Sequence, residues 1–418
     1  MQDVDLFSMR IFTRKSAGVV VGILVVATVF LVGYRWRVGK AWQEMLDTGV
    51  ELEYSIASND GRRGVLYGEA LEGKAQQQYA RAIELLSESF FDDWLQYDTA
   101  RENEDEEAGG MRNAIVNANL EALAAMSIGA HMLDAGFDLD WNDPEGLRAP
   151  SMMRSRNLVN LSLMAAGKFL EDGEHERAVD ALLDGLQTAC DHMRSPVLIG
   201  QMIGCALLNI ASTGALIDQG LLNRIPAHQL QRLDRGLDQI SLELPVMDAV
   251  FETEMAWFIR NTAVVVDPKF SLPDWGESNA WSVGFRYWFS ARLMCAEYVR
   301  EAMAWHASST GEDERSWNDW NADFDEQQSR MAEHGTPLWG VIGFKQRSVE
   351  VSRRHCLTRF NMARLAVAYR LTGSTHDLPD HFGDQLLVSI EDDQLLIESV
   401  GPGGVSDIRE SFGVQIGT

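Results

Sequence analysis

His376, Asp377, Asp380 and His381 are the densest set of metal-ligand types in the chain. Two imidazoles and two carboxylates suit a divalent cation. Their spacing, in a proline-containing linker, matches no ligand pattern, so no metal is expected there. His355-Cys356 is the nearest approach to a nucleophile beside a base. Neighbours on a helix point about 100° apart and cannot easily share a proton, so core packing is the better reading. Glu102 and Glu104 to Glu107 form an acidic cluster without the glycine and alternation of a calcium loop, which reads as solvated loop. The chain has no Gly-x-Ser-x-Gly elbow, His-Glu-x-x-His helix or phosphate loop. No catalytic residue and no cofactor is predicted.

Tryptophan is the more informative residue. Eight of twelve lie between 257 and 339: Trp257, Trp275, Trp281, Trp288, Trp305, Trp317, Trp320 and Trp339. Exposed indoles recognise sugars or peptides, which makes Trp275, Trp281, Trp288, Trp317 and Trp320 the candidate ligand or partner surface. Trp281 and Trp288 are seven apart and Trp317 and Trp320 three apart, so each pair can share a helix face. The alternative is a tryptophan-rich core. Cys190, Cys205, Cys295 and Cys356 include no Cys-x-x-Cys pair. They read as small buried apolar residues, with one bridge open to them in an oxidising compartment.

These residues need elements to hold them. Ser16 to Tyr34 is a run of nineteen uncharged residues, roughly 28 Å long as a helix and close to the thickness of a bilayer core. Tyr34 and Trp36 stand where aromatic side chains prefer the interface. No Ala-x-Ala site follows, so an uncleaved anchor is expected rather than a signal peptide. Residues 1–40 carry +4 of a net charge of −26, leaving −30 on the remainder. So acidic a body repels phosphate backbones, and no nucleic acid is expected among its partners. Basic residues flank the run on both sides. A short cytoplasmic tail (1–15) with an exported body is the commoner arrangement for such an anchor.

Helical periodicity dominates from Ala41 to about Leu371. It predicts helices over Ala75–Phe90, Arg112–Ala135, Arg154–Leu170, Glu174–Asp191, Pro226–Leu242, Val246–Asn261, Gly284–Ala307 and Lys345–Leu371, separated by breakers such as Gly109-Gly110, Asn142-Asp143-Pro144 and Asp172-Gly173. Val197 to Ile217 is uncharged and contains Gly200-x-x-x-Gly204. It suits either the central helix of a core or a second span. Two apolar runs, Gln385–Glu391 and Gln394–Val400, flank Asp392-Asp393 and predict a β-hairpin. A lone hairpin is marginal in water, so it is expected to dock on the body.

Leu158 to Cys190 resembles a tetratricopeptide unit, with Ala166 and Phe169 on one helix, Gly173 at the turn, and Ala178, Leu182 and Gly185 on the next. The N-terminal anchor, the series Gly68-Glu69, Gly73, Ala75, Tyr79, Ala82 and Leu85, and the tail from Leu378-Pro379 to Gly401-Pro402-Gly403 together resemble a group of uncharacterised membrane-anchored helical envelope proteins of large-genome bacteria. The tail is also similar to the C-terminal hairpin of type II secretion pseudopilins. Here Asp380-His381-Phe382 stands for that family's Asp-Pro-Phe, and the processed pseudopilin N-terminus is lacking. These resemblances imply architecture and no activity.

The expectation is an all-α body of antiparallel helical hairpins, tetratricopeptide-like in part, with a transmembrane anchor at 16–34, an acidic helical domain at 35–375, and a linker and β-hairpin at 376–418. The expected role is a single-pass scaffold or interaction protein of the bacterial inner membrane with its C-terminal domain on the periplasmic side. It would bind the membrane through residues 16–34 and a protein partner elsewhere. The alternative is an envelope hydrolase acting on peptidoglycan or glycan, with residues 257–339 as its cleft.

Overall fold

The computed structural model describes residues 5–57, 61–137, 152–244, 248–266, 280–309, 316–333, 337–375, 377–383, 385–391, 394–401 and 414–415, with the backbone alone in parts of several helices, among them 5–24. Thirteen α-helices lie among these residues: α1 Asp5–Ala57, α2 Ala75–Leu85, α3 Phe90–Glu102, α4 Ala108–Ala118, α5 Leu120–Ala130, α6 Met152–Glu171, α7 His175–Met193, α8 Leu198–Asn209, α9 Ala227–Glu243, α10 Asp248–Val266, α11 Ala280–Ser309, α12 Trp317–Glu333 and α13 Pro337–Thr372. Five short strands accompany them: β1 Leu71–Lys74, β2 Met132–Asp134, β3 Leu387–Glu391, β4 Gln394–Glu398 and β5 Val414–Gln415. The mostly helical expectation holds. Trp275 and the breaker Asn142-Asp143-Pro144 lie outside the described residues, as do the side chains of Trp281 and Trp288.

The chain divides into two compact units, one of residues 1–54 and 255–308 and one of 55–254 and 309–418. In the first, α1 turns Val38, Met45 and Leu52 inward, every seventh residue, the seam spacing of packed helices. A Cβ on Gly49 would stand 2.7 Å from the Ile259 side chain, so α1 and α10 close on each other there. Arg260 pairs with Glu53 at 3.0 Å, the Arg292 guanidinium lies 5.1 Å over Trp42, and Phe258 meets Tyr298 edge-on. Residues 16–34 belong to the same unbroken helix. From Val25 to Val32 its large apolar side chains are all exposed, by 56 to 73%.

The second unit is built round α7, whose residues from Ala181 to Met193 are buried without interruption, as befits a helix enclosed by others. It packs on α5, α6, α8 and α9. The predicted α6–α7 hairpin is present, turning at Gly173 with φ +76°, and a Cβ on Gly185 would fall 2.5 Å from Ser162 Oγ. Two expectations are corrected. Arg112–Ala135 is not one helix: it breaks at Asn119, whose buried amide accepts from the Ser87 backbone and donates to the Ile115 carbonyl. Gly109-Gly110 does not break a helix but sits in the first turn of α4, where N–H groups have no intrahelical partner to lose.

Val197 to Ile217 is α8 followed by a π-helical turn, Ile210–Asp218. Ser212 and Thr213 donate back to the Leu208 and Asn209 carbonyls, the kind of bond that competes with the regular helix ladder. Leu198–Ile217 is long and apolar enough to cross a membrane, and 61% of its most apolar window is buried inside the protein. Gly204 closes on α7, where a Cβ would lie 2.3 Å from the Met193 nitrogen, and a Cβ on Gly200 would lie 2.0 Å from Ser195 Oγ just beyond α7.

The predicted hairpin forms as β3 and β4 in antiparallel register, Leu387 opposite Glu398 and Glu391 opposite Gln394, with β5 beside β4. Leu395 and Ile397, two apart on one face, are fully buried in the same core as α13. Leu387 and Ile390 are 56% exposed. At the base of the hairpin the buried Asp380 carboxylate accepts from Ser399 Oγ (2.9 Å), the Val400 N–H (2.8 Å), the Phe382 N–H (3.0 Å) and Thr358 Oγ1 on α13 (3.3 Å).

The glycine contact is directly testable. Gly204→Ala must push α8 off the α7 backbone and should cost about 1–3 kcal/mol in urea unfolding. Gly110→Ala, where nothing lies within 4 Å of the added Cβ, should stabilise by up to about 1 kcal/mol. Equal midpoints for the two variants would show that α8 does not close on α7.

Candidate functional site

The polar residues of α7 recur at helical spacing. Asp184, Gln187, Thr188 and Asp191 occupy one stripe of the helix, and all four are buried. A buried acid requires a partner, and the partners come from far away in sequence. Residues 61–63 and β1 pair with opposite sides of the β2 segment: Arg63 N–H donates to the Leu133 carbonyl and Ala135 N–H to the Gly61 carbonyl, while β1 runs parallel to β2. That small sheet fixes Arg63 over the end of α5 and aims its side chain at α7.

There the guanidinium straddles the Asp191 carboxylate. Nη2 donates to Oδ2 at 2.7 Å and Nε lies 2.6 Å from Oδ1, with both side chains wholly buried. Nη2 also donates to the Gly129 carbonyl and Nη1 to that of Gly64. Tyr79 Oη donates to Asp191 Oδ2 at 2.6 Å and Gln187 to Oδ1 at 3.0 Å. Gly129 makes the Tyr79 bond possible, because a Cβ there would meet the phenol ring at 2.6 Å. Burial alone would lower the Arg63 guanidinium, but Asp191 and Tyr79 beside it hold it above its ordinary value. Burial, then Asp191, pushes the Tyr79 phenol far up. His192, next on the helix, donates from Nδ1 to the Thr188 carbonyl and meets Ser155 Oγ through Nε2, and burial pushes it below the usual imidazole value.

Two turns nearer the start of α7 the stripe becomes more open. Tyr67 Oη donates to Asp184 Oδ1 at 2.6 Å. The Tyr67 ring stands edge-on to His131 at 4.6 Å and carries the Arg232 guanidinium 4.7 Å above it. Arg232 pairs with Asp180. Gly68, at φ +71°, lets His131 Nε2 approach to 2.9 Å of where a Cβ would be. Burial raises the Asp184 carboxyl to about 6, with the hydrogen bonds from Tyr67 and Ser127 opposing. A carboxyl near neutrality is a feature of acid–base sites and of structural networks alike. Here its neighbours are other buried or half-buried protein groups, so the arrangement locks α2, α5, α7 and α9 to the 61–68 segment.

Sequence reasoning missed this network. The stripe itself is visible in the spacing of Asp184, Thr188 and Asp191, but Arg63 is 128 positions from Asp191, and nothing local links them. Of the residues that the sequence singled out, Trp317 and Trp320 do share a face of α12. They stack at 5.6 Å, continue onto Phe324 at 5.2 Å, and meet Phe382 edge-on through Trp317. Arg354 lies 5.5 Å over Trp317, which is buried. Asp380 and His381 are brought together at the hairpin base without a metal-like arrangement: Asp380 is enclosed by hydroxyl and N–H donors, and the His381 carbonyl accepts from Arg354. Burial, aided by Arg353 and Arg354, lowers the His381 imidazole to about 4. Among the described residues no group of three or more ligand types is placed to hold a metal ion.

Fold and site together define an all-α body with a small C-terminal antiparallel sheet and a buried polar stripe on its central helix. No protein-family model, no curated protein and no solved structure matches the chain.

Asp184 makes a pH prediction. Its folded-state value lies above the ordinary 3.8, so the folded chain holds a proton that the unfolded chain has lost between about pH 4 and 6. The stability this confers is complete below pH 4 and is lost as pH rises through 6. Asp184→Asn keeps a neutral acceptor for Tyr67 and removes that loss. Its stability relative to the parent should therefore rise from pH 4 to pH 7.5, by about 3 kcal/mol for a shift near two units. A difference that stays constant across this range would contradict the burial of an ionising Asp184.

Proposed function

We propose that this protein is a scaffold or protein-interaction protein of the bacterial cell envelope. In this reading residues 16–34 cross the inner membrane once, residues 1–15 stay in the cytoplasm, and the acidic body lies on the periplasmic side. The observation that carries it is the exposed apolar band of α1. Val25, Val26, Val29, Phe30, Leu31 and Val32 are each more than half exposed, within a continuous helix whose uncharged run matches a bilayer in length. Such a band is costly in water and favourable in lipid.

The scaffold reading is supported by how the charged groups are engaged. Arg63 and Asp191, Arg354 and Glu350, and Arg232 and Asp180 serve each other inside the body. The α6–α7 hairpin supplies the tetratricopeptide-like element on which helical interaction surfaces are built. Trp317 and Trp320, candidates for a glycan-binding surface, instead pack with Phe324 and Phe382. Leu198–Ile217 serves in this reading as a core helix, closed on α7 at Gly204.

Reporter fusions test the arrangement. Alkaline phosphatase, active only after export, should be active both after Ala57 and after Thr418. Activity after Ala57 alone would make Leu198–Ile217 a second span. Inactivity at both positions would overturn the orientation.

A further inference from the structure

Three cysteines from three helices meet in the core of the larger unit: Cys190 on α7, Cys205 on α8 and Cys356 on α13, each less than a tenth exposed. Two of them are in direct contact. The Cys356 thiol donates to the Cys205 carbonyl oxygen at 3.2 Å, which puts its sulfur against the Cys205 residue. The residues are 151 positions apart, so the contact is made by the packing of α13 on α8. We propose that Cys205 and Cys356 are a disulfide-forming pair that staples α13, and the hairpin docked on it, to α8.

The environment divides the two sulfurs by role. The neighbouring Cys356 thiol lowers the Cys205 thiol, with burial opposing and Arg353 assisting. Cys205 and burial together push the Cys356 thiol far up. Cys205 is therefore the thiol more readily ionised, and the thiolate is the nucleophile in exchange. With a low-molecular-weight disulfide as oxidant, the Cys205 thiolate attacks one of its sulfurs and expels the first thiolate. Cys356 then loses its proton, attacks the Cys205 sulfur of the mixed disulfide and expels the second. The protein gains one S–S bond and gives up two protons and two electrons, and the oxidant is recovered as two thiols. Cys190 lies in the same core on α7, and burial followed by Asp191 pushes its thiol far up. Cys295 belongs to the other unit.

The proposal concerns the pair and does not depend on the membrane orientation, because it is tested on the purified chain. Full-length protein in detergent is incubated with oxidised glutathione at a urea concentration in the foot of its unfolding transition, so that the core opens transiently. It is then quenched, fully unfolded and alkylated. The expected result is two alkylated cysteines, Cys190 and Cys295, against four in the reduced control, with one linked peptide joining Cys205 to Cys356. The oxidised chain should also unfold at higher urea than its reduced form, and Cys205→Ser should show no such shift. Four alkylated cysteines after oxidation, or a linked peptide containing Cys190 or Cys295, would overturn the assignment.

Discussion

The burial of Asp191 is the constraint on which the larger unit depends. A carboxylate sealed inside a helical body must be paired and hydrogen-bonded, and the fold brings Arg63, Tyr79 and Gln187 to it together. Meeting that demand fixes the small β1–β2 sheet, the approach of α2 to α5 at Gly129, and the rotation of α7 about its own axis. The protein is short of cations for the task. It has 62 acidic residues against 36 basic ones, of which only six are lysine. Arginine's planar fork can satisfy two carboxylate oxygens at once, and it is arginine that reaches the interior: Arg63 at Asp191, Arg353 and Arg354 at Glu350, and Arg112 at Glu171. Burial would raise Glu350, but its two arginines hold it below the ordinary carboxylate value.

Asp380 solves the same problem without a cation. Two hydroxyls and two backbone N–H groups converge on it, from α13, the linker and the end of β4. That convergence, with Leu395 and Ile397 sunk in the core, joins a hairpin of marginal intrinsic stability to the helical body. Internal polar closure and an exposed apolar band on α1 are complementary properties. The charged side chains that hold the body together are drawn inward, while the most apolar stretch of the described residues of α1 faces outward. An apolar band of that size is costly to expose to water.

Much of this was legible before any coordinates. Local rules reach as far as the elements: the α6–α7 hairpin with its turn at Gly173, the two apolar runs of the tail, and the shared face of Trp317 and Trp320 on α12. They falter where a tertiary demand overrides propensity. Asn119 ends α4 because its buried amide is engaged with Ser87 and Ile115, a fact that no window of sequence contains. β1 and β2, of four and three residues, are too short for periodicity to register, and their pairing is long-range. The polar stripe of α7 was visible as spacing, but its meaning lay in Arg63, Tyr67 and Tyr79, each more than a hundred positions away.

A double-mutant cycle on Arg63 and Asp191 tests the central claim most directly. Arg63→Met leaves a buried carboxylate without its cation, and Asp191→Leu leaves a buried guanidinium without its anion. Each single variant should lose about 3–5 kcal/mol of unfolding free energy. The double variant, with two apolar side chains in contact, should lose much less than the sum, giving a coupling of at least about 2 kcal/mol. Additive losses would contradict the account, because they would mean that the two residues do not act as one buried pair and that the larger unit is held together elsewhere.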